Sequence, residues 1–199
     1  MSRLRKLLLM DAHNCPWWLG YTFDNPIRRV VHNPAIILDG LVEEGQTVVD
    51  VGCGLGYFSL ALARIVGDRG TVIALDVQPE MLSRARARAK LQGVDSLIDF
   101  RLCEPDSLNL RDSVDFVLAF WMVHEVSNQE ALLAEIRFAL KPAGHLFLVE
   151  PKVHVTASRF EKTVEVARAS GFEIVVGPQV RFSRSVVCSP SASISGEAP

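Results

Sequence analysis

One stretch limits the possible folds more than any other: Val48-Val49-Asp50-Val51-Gly52-Cys53-Gly54-Leu55-Gly56-Tyr57-Phe58-Ser59. It opens with β-branched residues, places glycine at three alternate positions and continues with an apolar pattern that suits a helix. The order strand, tight turn, helix is typical of the first βα unit of a nucleotide-binding sheet. Glycine lacks Cβ, so such a turn adopts unusual dihedral angles and lets a ligand touch its backbone. The free N–H groups at the start of the helix favour an anionic group.

The rest of the chain repeats the strand–helix alternation. Strands are predicted at 47–51, 71–75, 98–102, 114–120, 145–149, 172–176 and 180–188. Helices are predicted at 35–42, at 57–66, from Pro79, after Asn128, and at about 158–169. Five strands separated by helices and a closing hairpin-like pair predict an α/β sandwich with a mostly parallel sheet.

Composition and charge indicate an ordinary globular domain. Of the 199 residues, 49% are hydrophobic and 22% are charged, and the formal net charge is -2. This balance gives no reason to expect a nucleic-acid partner, because such proteins usually carry a basic excess. No apolar run reaches membrane-spanning length, so no membrane association is expected. The apolar residues 7–10 stop at Asp11, well short of a signal-peptide core, which makes the cytoplasm the expected location.

The four cysteines, Cys15, Cys53, Cys103 and Cys188, lie far apart and form no CxxC pair. We therefore predict no metal site and no disulfide framework. Most of them are expected to be small buried residues, as free cysteines commonly are.

The chain before about Gln46 does not follow the alternation. Residues 13–26 hold two of the three tryptophans and are interrupted by Pro16 and Pro26. Two compatible interpretations are a packed flap over apolar surface and an aromatic wall or lid for a small ligand. The second makes a substrate pocket of Trp17, Trp18, Tyr21 and Phe23. We expect an N-terminal cap at 1–45, one domain at 46–188, and a disordered tail at 189–199, which is rich in Ser, Ala, Gly and Pro.

The glycine spacing bears on the kind of nucleotide. A dinucleotide fingerprint is Gly-x-Gly-x-x-Gly, but here Tyr57 stands where the third glycine belongs, and the spacing is Gly52-x-Gly54-x-Gly56. No lysine follows the glycines as a phosphate-binding loop requires. The chain also leaves no room for a separate substrate domain. A dehydrogenase and an NTPase are therefore both disfavoured.

Several motifs in order resemble the class I S-adenosylmethionine-dependent methyltransferase family over about residues 45–188. Residues 48–56 match the family's first motif and 74–77 its second; 99–104, 115–125 and 140–151 resemble the adenine segment, the fourth motif and the strand-five motif. Ala143 replaces a frequent glycine in the last of these. The resemblance implies a Rossmann-like three-layer sandwich, with a mostly parallel seven-stranded sheet and an antiparallel last strand. It also implies S-adenosyl-L-methionine as the cofactor.

The resemblance carries over to particular residues. Asp50 would engage the amino group of the cofactor, Asp76 both ribose hydroxyls, and Glu104 the exocyclic amine of adenine. Asp76 lies twenty residues beyond Gly56, where a ribose-binding acid is also expected on general grounds. The implied cofactor-binding residues are Asp50, Gly52, Cys53, Gly54, Gly56, Asp76, Val77, Cys103, Glu104 and Phe120.

Methyl transfer from a sulfonium is a direct displacement, so the protein mainly orients and desolvates the reactants. A base is needed only if the acceptor has a proton to lose. His124, just past the fourth strand, is the first candidate and His13 the second, although His124 could instead form a structural hydrogen bond. Glu150 could face either the pocket or a helix terminus. The expected acceptor is a small, partly aromatic or apolar molecule; the alternative function is a cofactor-binding module without transfer activity.

Overall fold

The computed structural model describes residues 26–105 and 107–191. Within these ranges seven strands form one sheet with the order β3-β2-β1-β4-β5-β7-β6. The strands are β1 Thr47–Val51, β2 Thr71–Asp76, β3 Ile98–Leu102, β4 Val114–Phe120, β5 Leu140–Pro151, β6 Phe172–Val175 and β7 Ser183–Pro190. The first five pair in parallel, and β7 runs antiparallel to both β5 and β6. This confirms the predicted mostly parallel sheet with an antiparallel last strand.

Helices cover both faces of the sheet. They are α1 Pro26–Val31, α2 Pro34–Ile37, α3 Tyr57–Val66, α4 Pro79–Leu91, α5 Gln129–Ala139 and α6 Ala157–Ala169. One apolar cluster joins α2, α3 and α4 to one face of the sheet. A second cluster joins α5 and α6 to the other face. The alternation of side chains along each strand feeds both clusters, which confirms the three-layer architecture.

The elements around the glycine turn follow from local sequence. β1 is an apolar strand buried on both faces, as central parallel strands are. α3 begins at Tyr57 and gives way at Gly67, where φ is 62° and the regular helix stops. α4 begins at Pro79, whose fixed φ suits a first helical position, and buries the apolar side chains of Met81, Leu82, Ala85 and Ala89.

β5 and β7 differ from their predicted bounds. A turn is predicted at 142–144, but β5 extends back through these residues to Leu140. Three residues of β4, Val114 to Phe116, there stand opposite six residues of β5, Leu140 to His145, so the extra residues form a bulge within the ladder. β7 begins only at Ser183 because the backbone of Phe182 has a φ of 58°, which interrupts the extended chain.

Two terminal expectations are also modified. Pro26, expected to interrupt the chain, begins α1, which the sequence analysis does not predict. Ser189 and Pro190, expected in a disordered tail, complete β7 and pair with β6. Residues 192–199 and the predicted pocket and base residues of the N-terminal segment lie outside the described residues.

The strand order fixes where a ligand can bind. β1 lies between β2 and β4, so the chain leaves β1 toward one side of the sheet and later returns on the other. Such a reversal opens a crevice at the carboxyl ends of the strands. The glycine turn, the end of β2 and the segment after β4 all lie at this edge.

Candidate functional site

The glycine turn after β1 depends on left-handed backbone. The φ angles of Gly52, Gly54 and Gly56 are 69°, 53° and 75°. Residues with a Cβ adopt this region at a cost of about 1–2 kcal/mol each. Glycine at these three positions therefore allows the turn to form without this conformational cost.

The three glycines have different surroundings. A Cβ placed on Gly52 would lie 3.0 Å from Cβ of Met122, and one on Gly56 would lie 3.1 Å from Cβ of Ala85. A Cβ on Gly54 would meet no heavy atom within 4 Å. Gly52 and Gly56 are thus packed against the protein, whereas Gly54 faces open space in which a ligand can approach the backbone.

Asp76 ends β2 beside this opening. Its side chain is 6% exposed, and its two oxygens accept hydrogen bonds from the backbone N–H groups of Gly54 at 2.8 Å and Gln78 at 2.9 Å. Burial raises the pKa of Asp76 above its ordinary value. A carboxylate has about four acceptor positions, more than these backbone groups occupy, so this acid could also accept from a hydroxyl group of a ligand. Val77, the next residue, is half-buried.

Asp50 lies beneath the turn on the α3 face of β1. Its side chain is 3% exposed and accepts a 2.5 Å hydrogen bond from Oγ of Ser59, in the first turns of α3. Burial raises the pKa of Asp50 to about 7, although the Ser59 hydrogen bond opposes the shift. This acid therefore exchanges its proton near neutral pH.

The segment after β3 is tied to β2 and to α5. The backbone N–H of Cys103 donates to the carbonyl of Asp76 at 3.1 Å, which places this residue next to the predicted ribose acid. Glu104 is exposed, and its backbone pairs with that of Ser107. Glu135 of α5 accepts from the N–H groups of the following loop and so holds it in place.

The cysteine side chains near this site are buried thiols with low reactivity. Cys53 and Cys103 are buried, as is Cys188 on β7, and all three are free thiols. Burial raises the pKa of Cys103 to about 11 and that of Cys53 well above its ordinary value. A thiol reacts as the thiolate, so these side chains pack and do not act as nucleophiles. The fourth cysteine, Cys15, lies outside the described residues.

An aromatic cluster closes the end of β4. The ring of Phe120 lies 4.4 Å from that of Phe58 and 5.5 Å from the imidazole of His32, measured between centroids. Trp121 has a φ of 63°, rare for a bulky residue, and its indole N–H donates to Oγ of Ser183 at 2.9 Å. Burial lowers the pKa of His32, which favours the neutral imidazole within the cluster. Phe120 is 7% exposed and lies in the core beneath the edge.

His124 lies in a short 3₁₀ turn, Val123–Glu125, that follows β4. Its Nδ1 lies 2.5 Å from Oε2 of Glu150, near the end of β5. The other oxygen of Glu150 accepts from the backbone N–H of Val123 at 2.9 Å. Glu150 therefore contacts the histidine side chain with one oxygen and the first backbone N–H of the 3₁₀ turn with the other.

Side chains of α5 and α6 also bind the backbone of this 3₁₀ turn. The side-chain amide of Gln129 donates to the carbonyl of Val123 at 3.0 Å, and the guanidinium of Arg159 donates to the carbonyl of His124 at 2.8 Å. Together with the contacts of Glu150, these bonds fix the backbone around the histidine. His124 also lines a polar cleft of about 470 Å³ between this turn and the start of α5.

The predicted residues fall into three groups. The glycine turn, Asp76, Val77 and Cys103 gather at the ends of β1, β2 and β3, with Asp50 directly below. His124 belongs to the α5–α6 side, connected to the turn through the contact of Met122 with Gly52. His13, Trp17, Trp18, Tyr21 and Phe23 lie outside the described residues.

The sequence analysis does not identify Ser59, Met122 or Trp121 as parts of the site. A serine among the apolar positions of α3 is a visible signal for the first. The other two are recognisable only once β4 is known to neighbour β1.

Other kinds of site find no support in the described part of the chain. Among residues 26–105 and 107–191, no group of three or more His, Cys, Asp or Glu side chains is arranged to hold a metal ion. In the same ranges, no helix has the length and apolar character needed to cross a membrane.

Comparison with known proteins agrees with the geometry. A family model described as a methyltransferase domain matches residues 49–148. A ubiquinone/menaquinone biosynthesis C-methyltransferase, UbiE, from Hydrogenovibrio crunogenus is 30% identical over 125 residues, which are 62% of this chain and 49% of the relative. The chain thus spans about half the length of the curated relatives that it matches.

Solved structures resemble nearly the whole fold. A SAM-dependent methyltransferase from Aquifex aeolicus superposes with a TM-score of 0.79 at 25% identity, covering 88% of this chain and 98% of its own. The [4+2]-cyclase SpnF superposes with a TM-score of 0.63, also at 25% identity, covering 76% of this chain and 60% of its own. The matched fold therefore includes both a methyltransferase and a cyclase.

Proposed function

Because the chain belongs to the class I S-adenosylmethionine-dependent methyltransferase family, we propose that it transfers a methyl group from S-adenosyl-L-methionine to a small-molecule acceptor by direct displacement. The observation that carries the proposal is the open face of Gly54 beside the buried carboxyl group of Asp76. This arrangement offers backbone contact and a hydroxyl acceptor side by side. Both are what the methionine and ribose parts of the cofactor require.

Particular residues would hold the cofactor. The turn from Gly52 to Gly56 would receive its methionine end, with Asp50 below for the amino group. Asp76 would accept from the ribose hydroxyls, and Val77 and Cys103 would flank the adenine. Glu104 is exposed at the end of the same segment, so its carboxylate is accessible to the exocyclic amine. Phe120 would support the floor of the site from the core.

The bound cofactor supplies a methyl group already activated on a sulfonium, so the chain's own residues mainly bind, align and exclude water. His124 is the proposed base for an acceptor that loses a proton. The four bonds around its turn hold the imidazole in a fixed direction. Such fixed placement is what makes a base efficient.

The proposed acceptor is small and carries an aromatic or apolar ring. The relatives named as C-methyltransferases of ubiquinone and menaquinone biosynthesis support a ring substrate. The aromatic residues of the N-terminal segment and the half-buried ring of Trp121 offer matching surfaces. We place the methyltransferase domain at 46–188, extended by the last residues of β7, and assign the acceptor-facing cap to 1–45.

Calorimetric titration of the full chain with S-adenosylmethionine and with S-adenosylhomocysteine tests cofactor binding. Asp76→Ala is expected to weaken binding by about 1–3 kcal/mol, roughly 5- to 150-fold, because ligand hydroxyls lose a buried partner. Asp68→Ala is the matched control, since Asp68 is exposed and precedes the opposite end of the same strand. No heat of binding at millimolar cofactor would refute the proposal, and equal affinity in both variants would remove Asp76 from its role.

A second candidate is a cofactor-binding module that does not transfer the methyl group and acts as a regulatory or partner subunit. The cyclase among the similar structures favours it, because that neighbour is named for a different reaction. Incubation with cell extract and S-adenosylmethionine labelled in its methyl group distinguishes the two. A single labelled small product supports transfer, and cofactor binding without any labelled product supports the module.

A further inference from the structure

Glu150 is a buried acid whose part in the chemistry is not yet accounted for. It is the penultimate residue of β5 and only 1% exposed. By the alternation of the strand it faces the same side as Leu146 and Leu148, which belong to the apolar cluster of α5 and α6. A carboxyl group in such surroundings is costly unless each oxygen has a partner.

Both oxygens of Glu150 do have partners, and the partners have different chemistry. The backbone N–H of Val123 can only donate, so Oε1 accepts there. Nδ1 of His124, at 2.5 Å from Oε2, can donate or accept according to its tautomer. An ionised carboxylate can only accept, so the contact favours the tautomer with its proton on Nδ1.

We propose that Glu150 is the positioning residue of His124: it holds the imidazole with the proton on Nδ1 and keeps Nε2 unprotonated as the base. This inference rests on the proposed function in one respect: His124 acts as a base only if the protein transfers a methyl group. Orientation of a histidine by a buried carboxylate has this effect in known hydrolases, where the acid fixes tautomer and ring direction.

The Glu150→Gln variant is expected to change the tautomer of His124. In Glu150→Gln the carbonyl oxygen must face the N–H of Val123, because the opposite placement would bring two donors together. The amide NH₂ then faces Nδ1 of His124 and can only donate. Nδ1 must accept, so the proton moves to Nε2 and the basic lone pair is lost from that nitrogen.

Other charged groups around His124 are separable from this effect. Oε1 of Glu125 lies 4.0 Å from Nε2 of His124, and the ring of His154 stacks on the imidazole with 6.0 Å between centroids. The guanidinium of Arg159 donates to the backbone carbonyl of His124. Glu125→Gln removes a nearby carboxylate and leaves Glu150 in place. It is therefore the matched control for charge alone.

The experiment records two-bond ¹H–¹⁵N correlations of the imidazoles in the ¹⁵N-labelled full chain under alkaline conditions, in which imidazole side chains carry one proton. The His124 signals are assigned by their loss in His124→Gln. We expect the Nδ1–H tautomer in the wild type and in Glu125→Gln, and the Nε2–H tautomer in Glu150→Gln.

Two outcomes would overturn the inference: an Nε2–H tautomer in the wild type, or an unchanged tautomer in a folded Glu150→Gln variant. If that variant does not fold, the wild-type spectrum alone still decides. The measurement needs neither cofactor nor acceptor. A failure of cofactor binding would therefore refute the proposed function without altering this result.

Discussion

Asp50→Asn is expected to make the protein more stable at alkaline pH. In the folded chain the pKa of this acid is raised from 3.8 to about 7 by burial, and its side chain is 3% exposed. Above pH 7 the folded protein must therefore keep a charge where water cannot reach it. Asparagine has nearly the same shape, can still accept from Ser59, and carries no charge.

The magnitude follows from the linkage between pKa and stability. A rise in the pKa from 3.8 to about 7 corresponds to about 4 kcal/mol at about 1.36 kcal/mol for each pH unit. The sign is that of a raised pKa: the folded state binds the proton more tightly, so stability falls as pH rises from 3.8 to about 7 and then levels. At pH 5 the same relation leaves a penalty of under about 2 kcal/mol, so the variant should gain about 2 to 3 kcal/mol more at pH 8.5 than at pH 5.

Urea unfolding of both proteins at the two pH values measures this difference directly. Asp39→Asn, at an exposed position, is the control and should run parallel to the wild type. The reasoning is refuted if the Asp50→Asn curve also runs parallel to the wild type, because the acid would then not be held neutral by burial.

Two further predictions concern the turn and the loop beside it. Gly54→Ala should lower the free energy of unfolding by about 1–2 kcal/mol through left-handed strain alone, and it should weaken S-adenosylmethionine binding. Gly56→Ala should lower the free energy of unfolding further, because its Cβ also meets Cβ of Ala85 at 3.1 Å. Equal losses of the two variants in urea unfolding would contradict this. Glu135→Ala should cost about 2 kcal/mol, because the N–H groups of Leu108 and Leu110 lose their acceptor, each now bonded at 2.9 Å. Hydrogen exchange checks the second case: both amides should exchange faster, and unchanged protection would show that the carboxylate does not hold the loop.

The sequence predicts the central elements well because their signals are local. The bounds of β1, β3, β4 and α3 are as predicted, and the apolar runs of β1 and α3 end directly before Gly52 and Gly67. β5 and β7 are less predictable. A bulge opposite β4 and a left-handed Phe182 depend on neighbouring strands and not on the residues' own propensities.

The site divides in the same way. Asp76 is found from its distance to the glycine turn and Asp50 from the resemblance of residues 48–56 to the family's first motif, and the structure brings the two acids to the same edge of the sheet. The contact of Glu150 with His124 joins residues 26 positions apart and exists only because β5 lies beside β4. A pattern along the chain contains no information on that adjacency, so sequence reasoning leaves the direction of Glu150 open.

The burial of Asp50 has a consequence for how the protein takes up its ligand. In the role proposed for it, Asp50 meets the ammonium group of the cofactor, and a neighbouring positive charge favours the ionised acid. A carboxyl group that is half protonated near pH 7 then gives up its proton as the ligand arrives. Asp50 thus holds a proton in the folded protein without ligand and loses it when the cofactor binds. In that role, Asp50 is expected to make the affinity for the cofactor depend on pH around neutrality.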